Sequence, residues 1–340
     1  MKSLMLAAAM LMVAAPAAAQ EGEAMLGVRH VGITVSDIDA TVAFYGATVP
    51  FEVVRRERVP ASRFPHSALS RRAGYVDVAL IRTPTVFLQL MDFDPGSPSP
   101  PQHLPVNGPG YTHVCWQAPA SAPVWTRLIA GGLKMVTRGG APVDLGGYGV
   151  TYAYGRDPDG TMIEMETMDR PVRADRAWAT HVAVVTPDLD RLIAFYQTVL
   201  GQPPRRRAGP VSGARFDAIA DIDGLSLSGG WFTLRNFEIE LWQYHIPETP
   251  APATDRQIDR LGHSLIAFEV ADLANATRRL RAANVRLVGR PVRMMGWRIQ
   301  YARDPDGNLI AVQQRAGASE DESVVPLHYL DPAAGPMRRT

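Results

Sequence analysis

Length, composition and charge limit the classes to which this chain can belong. Its 340 residues are long enough for two domains of roughly 150 residues each. The formal net charge of +1 excludes a strong positive field that would recruit nucleic acid or anionic lipid. Cys115 is the sole cysteine, so an intramolecular disulfide and a thiolate metal cluster are both excluded. Any metal site must therefore use histidine, carboxylate or amide ligands.

The N-terminal segment has the layout of a secretory signal peptide. Lys2 supplies a short positive start, residues 4–15 form an apolar run, and residues 17–19 are small alanines before Gln20. A membrane-spanning helix needs about 20 continuous apolar residues, and this run is shorter. The sequence therefore predicts cleavage after residue 19, a periplasmic or secreted mature protein, and no membrane association after cleavage.

The same landmarks occur twice, separated by about 150 residues, which indicates an internal duplication. The sequence RDPDG at 156–160 returns at 303–307. His30 is matched by His181, and His113 is matched by His263. The repeat predicts a signal peptide at 1–19, a first domain at 27–169, a second domain at 177–315 and a C-terminal tail at 316–340.

Each half of the duplication contains a shorter unit twice. The alternation of apolar and polar residues at 29–35 predicts a strand, and a helix and three further strands follow it. The cycle restarts at Tyr111, at Trp178 and at Leu261. The chain is therefore predicted to be an α+β protein made of four βαβββ units, with each pair of units forming a curved eight-stranded mixed sheet around a cleft.

Four polar side chains occupy equivalent places in the first two units. Since side chains alternate along a strand, His30, Gln89, His113 and Glu164 should face away from the helices. If the two units form one cleft, these side chains converge there. A single histidine on a strand is usually just a satisfied polar residue, but two imidazoles and a carboxylate together suit iron, zinc, nickel, cobalt or manganese. Gln89 would add a neutral oxygen or hydrogen-bond a bound water.

The chain resembles the vicinal-oxygen-chelate superfamily in three respects: the fourfold unit, the Phe-Tyr pair ending the first helix of each half, and the Asp-Pro-Asp-Gly turn before Ile163-Glu164. This superfamily includes glyoxalase I, fosfomycin-resistance thiol transferases, methylmalonyl-CoA epimerase, extradiol dioxygenases and bleomycin-binding proteins. The resemblance covers residues 27–314 and implies two tandem domains of that fold. By position it implies His30, Gln89, His113 and Glu164 as metal ligands.

The second half departs from this pattern at its last position. His181, Glu240 and His263 stand where ligands are expected, but Ala311 replaces the closing carboxylate. Two imidazoles and one carboxylate could still bind a metal ion. The sequence nevertheless favours the first half as the metal site and the second half as a degenerate copy.

The resemblance implies a reaction on a small molecule that chelates a divalent metal ion through two neighbouring oxygens. We expect a lyase, isomerase or epimerase with Glu164 and Tyr154 as catalytic residues. One alternative is an extradiol-type dioxygenase using Fe(II), although no histidine lies between His113 and His181 to act as its acid-base residue. Another is a metal-free binding protein of the bleomycin-resistance type. Either a monomer or a homodimer is compatible with four units in one chain.

Overall fold

The computed structural model describes residues 25–70, 74–93, 104–147, 149–172, 177–252 and 255–329. The predicted signal peptide at 1–19 therefore lies outside the described residues. Within the described ranges, no helix is both long and apolar enough to cross a membrane.

Short helices follow the first strand of each unit, and one more helix is inserted in the third unit. Their bounds are α1 (Ile38–Gly46), α2 (Val124–Ala130), α3 (Leu189–Leu200), α4 (Ala214–Ala220) and α5 (Leu273–Ala282). Aspartate caps three of them: the carboxylates of Asp37, Asp188 and Asp272 accept hydrogen bonds from backbone N–H groups in the first turn. These caps explain why the helices begin directly after the buried first strands.

Strands account for most of the remaining structure. The first unit contains β1 (Met25–Thr34), β2 (Glu52–Pro60), β3 (Tyr75–Arg82) and β4 (Phe87–Phe93). The second contains β5 (Gly110–Pro119), β6 (Lys134–Met135), β7 (Val143–Asp144), β8 (Val150–Arg156) and β9 (Met162–Met168). The third contains β10 (Trp178–Val185), β11 (Arg206–Ser212), β12 (Ser226–Thr233) and β13 (Glu238–Ile246). The fourth contains β14 (Gly262–Val270), β15 (Arg286–Met294), β16 (Trp297–Arg303) and β17 (Leu309–Arg315).

The α+β class and the two curved mixed sheets are as predicted, but the units that share a sheet are not. An eight-stranded sheet has the order β15-β16-β17-β14-β1-β4-β3-β2 and therefore joins the first and fourth units. A nine-stranded sheet has the order β11-β12-β13-β10-β5-β9-β8-β6, with β7 paired to β8, and joins the second and third units. We call these sheet 1/4 and sheet 2/3. The expectation that neighbouring units one and two form one cleft is therefore wrong.

The partner of each unit is set by pairing between first strands. β1 runs antiparallel to β14, and β5 runs antiparallel to β10. Within a unit the first strand is parallel to the last, which requires the helical crossover that each unit contains. Both types of pairing are compatible with any pair of units, so strand patterns alone do not distinguish one partner from another.

The helix-facing sides of both sheets contribute to one continuous hydrophobic core. It contains Val31 and Phe268 from sheet 1/4 and Trp116 and Val182 from sheet 2/3, each no more than about one per cent exposed. The opposite, concave faces carry the candidate functional residues. The core covers only the helix-facing sides. The side chains on each concave face therefore decide whether that face is packed or forms a cleft.

The concave face of sheet 1/4 is filled by the protein itself. Phe64, Phe93 and Trp297 belong to a second buried hydrophobic cluster there. The first part of the predicted C-terminal tail lies against this sheet: the buried Glu322 pairs with Arg29 at 3.4 Å. Val324 is also fully buried. Sheet 1/4 therefore has a packed interior in place of a cleft.

Candidate metal centre

Four ligand-type side chains meet on the concave face of sheet 2/3. His113 lies on β5, Glu164 on β9, His181 on β10 and Glu240 on β13. These are the four central strands of the sheet, which hold the side chains on rigid backbone. Each residue is buried, and one ligand atom from each lies within 4.8 Å of the others. Half of the set comes from the second unit and half from the third.

Within this group, each glutamate oxygen lies close to both histidine nitrogens. Glu164 Oε2 lies 3.0 Å from His181 Nε2 and 3.4 Å from His113 Nε2. Glu240 Oε2 lies 3.1 Å from His181 Nε2 and 3.8 Å from His113 Nε2. Both carboxylates thus present one oxygen to both imidazoles. The four atoms surround a common point.

Pairing between opposite charges shifts the pKa values of these residues more than burial does. Burial raises the pKa of the Glu164 carboxyl, but His113 and His181 lower that pKa by more, so its net pKa lies below the ordinary value. The pKa of Glu240 is also lowered: burial opposes the shift, and His181 causes it. Burial lowers the pKa of His181, but Glu240 raises it, with a net pKa well above the ordinary value. The two carboxylates therefore favour a positive charge at this position.

The donor set fits a divalent transition-metal ion. Two imidazole nitrogens and two carboxylate oxygens suit a borderline cation and balance a charge of +2. Zinc holds such ligands at about 2.0–2.2 Å, which places neighbouring ligand atoms about 3.0–3.6 Å apart. His113 Nε2 is also buried and makes no hydrogen bond to any described residue. Its polar neighbours are the carboxylate oxygens of Glu164 and Glu240, at 3.4 Å and 3.8 Å, and a cation between these atoms would satisfy the imidazole nitrogen and both carboxylates.

Two further contacts orient these ligands. The indole Nε1 of Trp231 donates a 2.6 Å hydrogen bond to Glu240 Oε1, which leaves Oε2 facing the two histidines. The hydroxyl of Thr112 lies 3.2 Å from His113 Nδ1, so Nε2 is the nitrogen that faces the carboxylates. Contacts of this kind fix ligand orientation in metal sites. The described contacts of Glu164, in contrast, all involve Oε2 and a histidine.

Cys115 and Glu166 extend the group along the same face. Together with Glu164 and His181 they form a second set of four ligand-type atoms within 4.8 Å of one another. Burial, followed by the charge of Glu166, raises the pKa of the Cys115 thiol well above its ordinary value. The protonated thiol therefore behaves as a small buried side chain beside the four-residue group.

A cleft with a volume of about 240 Å³ opens onto this group. Glu164, His181 and Glu240 lie in its wall, and Phe216 and Ile219 from α4 cover one side. The cover helix is held against the second unit, because the hydroxyl of Thr137 donates a 3.0 Å hydrogen bond to the backbone oxygen of Ile219. The cleft therefore combines an apolar wall with a small set of convergent polar groups, as ligand sites commonly do.

Tyr154, predicted as a catalytic residue, lines the same cleft. It lies on β8 directly opposite Glu164 on β9, and its ring centroid is 5.0 Å from that of His113. Burial, then the charge of Glu164, raises its pKa well above the ordinary value. The hydroxyl therefore favours its protonated form, which can donate a hydrogen bond.

The structure divides the predicted ligand set between the two sheets. His113 and Glu164 come together as predicted, but His30 and Gln89 lie on β1 and β4 of sheet 1/4. Their places are taken by His181 and Glu240, which the sequence had assigned to a degenerate copy. The reason is the exchange of unit partners: the second unit pairs with the third, so the complete His-Glu-His-Glu set arises only across the boundary between the halves.

The equivalent positions of sheet 1/4 do not converge on a common point. Gln89 donates to the sulfur of Met91, and His263 Nε2 lies 3.0 Å from the backbone oxygen of Met162 in the other sheet. His30 is buried with neither ring nitrogen hydrogen-bonded to a described residue. Ala311 provides no ligand atom. Burial keeps both rings neutral, lowering the pKa of His263 to about 4 and that of His30 well below its ordinary value.

Comparisons with known proteins agree with this fold. Residues 178–312 match a family model described as the Glyoxalase/Bleomycin resistance protein/Dioxygenase superfamily, and residues 29–152 match a second model with the same description. By sequence, no curated protein matches the chain.

Among solved structures, glyoxalase I from Zea mays is similar with a TM-score of 0.59 and 18% identity, covering 86% of this chain and 92% of that chain. A putative dioxygenase from Bacillus subtilis subsp. subtilis str. 168 has a TM-score of 0.59 and 11% identity, covering 90% of each chain. At these identities the likeness concerns the fold alone.

Proposed function

We propose, from the premise that this chain belongs to the glyoxalase/bleomycin resistance protein/dioxygenase superfamily, that it is an exported metal-dependent lyase, isomerase or epimerase. Its substrate would be a small molecule with two neighbouring oxygens. The metal ion would be held by His113, Glu164, His181 and Glu240. The observation that carries the proposal is the convergence of these four buried residues, three of which (Glu164, His181 and Glu240) line an open cleft.

A divalent cation bound there supplies a Lewis acid that stabilises negative charge on the chelated oxygens. The protein supplies orientation and proton transfer. Trp231 holds Glu240 in one orientation, whereas Glu164 has contacts at Oε2 only and keeps Oε1 for a proton taken from the substrate. Tyr154, opposite Glu164, is placed to donate a hydrogen bond to a substrate oxygen.

The number of ligands favours this redox-neutral chemistry over dioxygen activation. Non-haem iron oxygenases commonly use two histidines and one carboxylate, which leaves positions for both substrate and dioxygen. Here a second carboxylate, Glu240, completes a four-residue set. Export rests on the signal-peptide layout of residues 1–19.

The reaction class can be tested with 2-hydroxyketones, in which a carbonyl and a neighbouring hydroxyl can chelate a metal ion. Protein reconstituted separately with Ni²⁺, Co²⁺, Zn²⁺, Mn²⁺ or Fe²⁺ is incubated with dihydroxyacetone and related hydroxyketones in D₂O. We expect metal-dependent exchange of the proton beside the carbonyl, followed by proton NMR. The exchange should be lost in Glu164→Gln and kept in His30→Ala.

Two results would contradict the proposal. One is the absence of exchange above free metal for every metal and every hydroxyketone. The other is dioxygen consumption by the Fe²⁺ protein with catechol, followed with an oxygen electrode, which would favour a ring-cleaving dioxygenase.

A further inference from the structure

The wall of the cleft changes from polar to apolar along strand β13. The residues of this strand that line the cleft are, in chain order, Glu238, Glu240, Trp242 and Tyr244. They alternate onto one face, where successive residues lie about 6.6 Å apart. The two aromatic residues therefore cover the stretch of wall from about 7 to about 13 Å beyond the candidate ligand Glu240.

The two neighbouring strands follow the same order. In the pairing register, Trp231 of β12 and Arg206 of β11 are level with Glu240. Beyond that level, every side chain that the three strands contribute to the cleft is uncharged. These residues, which we call the apolar wall, are Ala208 and Val211 of β11, Leu227 of β12, and Trp242 and Tyr244 of β13.

The helix α4 adds further apolar side chains beside this wall. Ile219 belongs to the same buried hydrophobic cluster as Leu227 and Tyr244, and Phe216 packs against that cluster. Phe216 and Trp242 line the cleft and are only half-buried, so part of their apolar surface remains uncovered there. An apolar group that covers this surface would contribute free energy of binding in proportion to the area removed from water.

The volume of the cleft limits the size of such a group. A cavity of about 150 Å³ lined by aliphatic and aromatic side chains accommodates benzene. The whole cleft measures about 240 Å³. It therefore encloses one ring together with the few atoms that would chelate a metal ion, and a much larger molecule would extend into solvent.

We propose that the substrate or ligand of this cleft carries an uncharged apolar group of about the size of one six-membered ring, held between the apolar wall and α4. Its two neighbouring oxygens would lie at the level of Glu240, and this part rests on the proposed function. A charged group at the apolar wall would lose its hydration without gaining a polar partner from these five residues, which is unfavourable.

Three hydroxamates that share one pair of chelating oxygens test the inference. They are acetohydroxamate, cyclohexanecarbohydroxamate and piperidine-4-carbohydroxamate, titrated into the full-length Zn²⁺-loaded protein by calorimetry. The last two have rings of the same size, but the piperidine ring is positively charged at neutral pH. We expect the cyclohexane compound to bind at least about tenfold more tightly than either of the others. Equal or tighter binding of either acetohydroxamate or the piperidine compound would overturn the proposal.

A charge placed in the apolar wall should remove this preference. Ala208 is exposed, so Ala208→Asp is compatible with the fold, and the ratio of cyclohexane compound to acetohydroxamate affinity should fall below about threefold. Val53→Asp changes a residue that is 36% exposed on the edge strand of the other sheet and should keep the full ratio. An undiminished ratio in Ala208→Asp would contradict the inference.

Phe216→Ala provides a second variant if Ala208→Asp does not fold. It removes the half-buried ring that α4 places in the cleft. Affinity for the cyclohexane compound should fall at least about threefold, while affinity for acetohydroxamate stays unchanged. Equal losses for both compounds, or no loss for either, would overturn the proposal.

Failure of this inference is separable from failure of the proposed function. Cyclohexanecarboxamide and acetamide lack the chelating pair, and saturation-transfer NMR compares their affinities for metal-free protein. If no Zn²⁺ binds, this comparison decides alone: a preference for cyclohexanecarboxamide that is lost in Ala208→Asp supports the apolar wall, and equal affinities overturn it. Metal content reports on the metal centre only.

Discussion

At the scale of single residues, two chemically identical carboxylates are held in different ways. Trp231 donates a 2.6 Å hydrogen bond to Glu240, while the described contacts of Glu164 are those to the two histidines. On one metal ion, the fixed carboxylate of Glu240 would serve mainly in binding the ion, and the less restrained carboxylate of Glu164 would transfer the proton. This difference depends on a residue, Trp231, that the sequence analysis did not single out.

Replacing Trp231→Phe should weaken metal binding by about 10–100-fold, because the donor that orients Glu240 is lost while an aromatic ring remains. Competition with a metal chelator measures the affinity. Trp125→Phe, on α2 in the main core, provides the control and should bind as the wild type does. Equal affinities for Trp231→Phe and the wild type would show that the indole has no orienting role.

His263 should make folding stability depend on pH. Its pKa is lowered to about 4 in the folded chain, so the unfolded chain binds more protons between about pH 6.5 and 4. Stability is therefore lost as the pH falls through that window, by about 2 kcal/mol at pH 5. His263→Gln keeps a donor towards the backbone oxygen of Met162 and removes the titration.

Urea unfolding at pH 7.5 and pH 5 measures this contribution in the wild type and the variant. The loss of stability on acidification should be smaller in His263→Gln by about that amount. An identical loss in both proteins would mean that His263 does not titrate as proposed.

The ligand residues themselves were largely accessible from the sequence. Strand alternation placed His113 and Glu164 on the face away from the helices, and the repeat placed His181 and Glu240 at the matching positions of the second half. Their grouping was not accessible, since alternation says nothing about which sheet a strand joins. The one available signal was that only the second and third units together supply two histidines and two glutamates.

At the scale of elements, the repeated RDPDG turn has a structural role in both halves. Asp304 Oδ1 accepts hydrogen bonds from the backbone N–H groups of Asp306 and Asn308. Asp157 Oδ1 accepts from Asp159 and Thr161 in the same way. Both aspartates are buried. The turn therefore positions the strands that carry Glu164 and Ala311 without contacting the cleft.

Asp157→Ala and Asp304→Ala should each lower the free energy of unfolding by about 2–4 kcal/mol, because each change leaves two backbone N–H groups without their acceptor. Thermal and denaturant unfolding measure the two effects. Asp223→Ala, which alters a side chain that is 90% exposed, should change stability little. A neutral effect of either turn substitution would show that the carboxylate is dispensable there.

The cover helix α4 shows where element prediction fails. It is seven residues long, follows Gly213, and has no side-chain cap, so it lacks the signals that mark α1, α3 and α5. Its buried contacts come from the cleft wall, where Ile219 and Ala220 pack against the second unit. Such a helix is stabilised by tertiary packing, which a local pattern does not reveal.

At the scale of the whole molecule, the duplicated halves are interleaved. β1 of the first half pairs with β14 of the second, and β5 of the first half pairs with β10 of the second. Neither half of the chain alone contains either complete sheet. The metal centre is consequently a property of the complete chain.

Dividing the chain between residues 172 and 177 and coexpressing the two pieces should yield one complex. The backbone hydrogen bonds of two strand pairs and a shared core hold the pieces together. Affinity purification through a tag on the N-terminal piece, followed by native mass spectrometry, tests this. Recovery of that piece alone as a folded monomer would contradict the interleaved arrangement.

The metal centre itself is tested most directly by the metal content of three reconstituted proteins, measured by elemental analysis after gel filtration. The wild type should hold one divalent ion per chain. His113→Ala/His181→Ala should lose it, because both imidazoles of the group in sheet 2/3 are removed. His30→Ala/His263→Ala should keep it, because these rings lie in sheet 1/4. Loss of the ion from His30→Ala/His263→Ala, or its retention by His113→Ala/His181→Ala, would contradict the account.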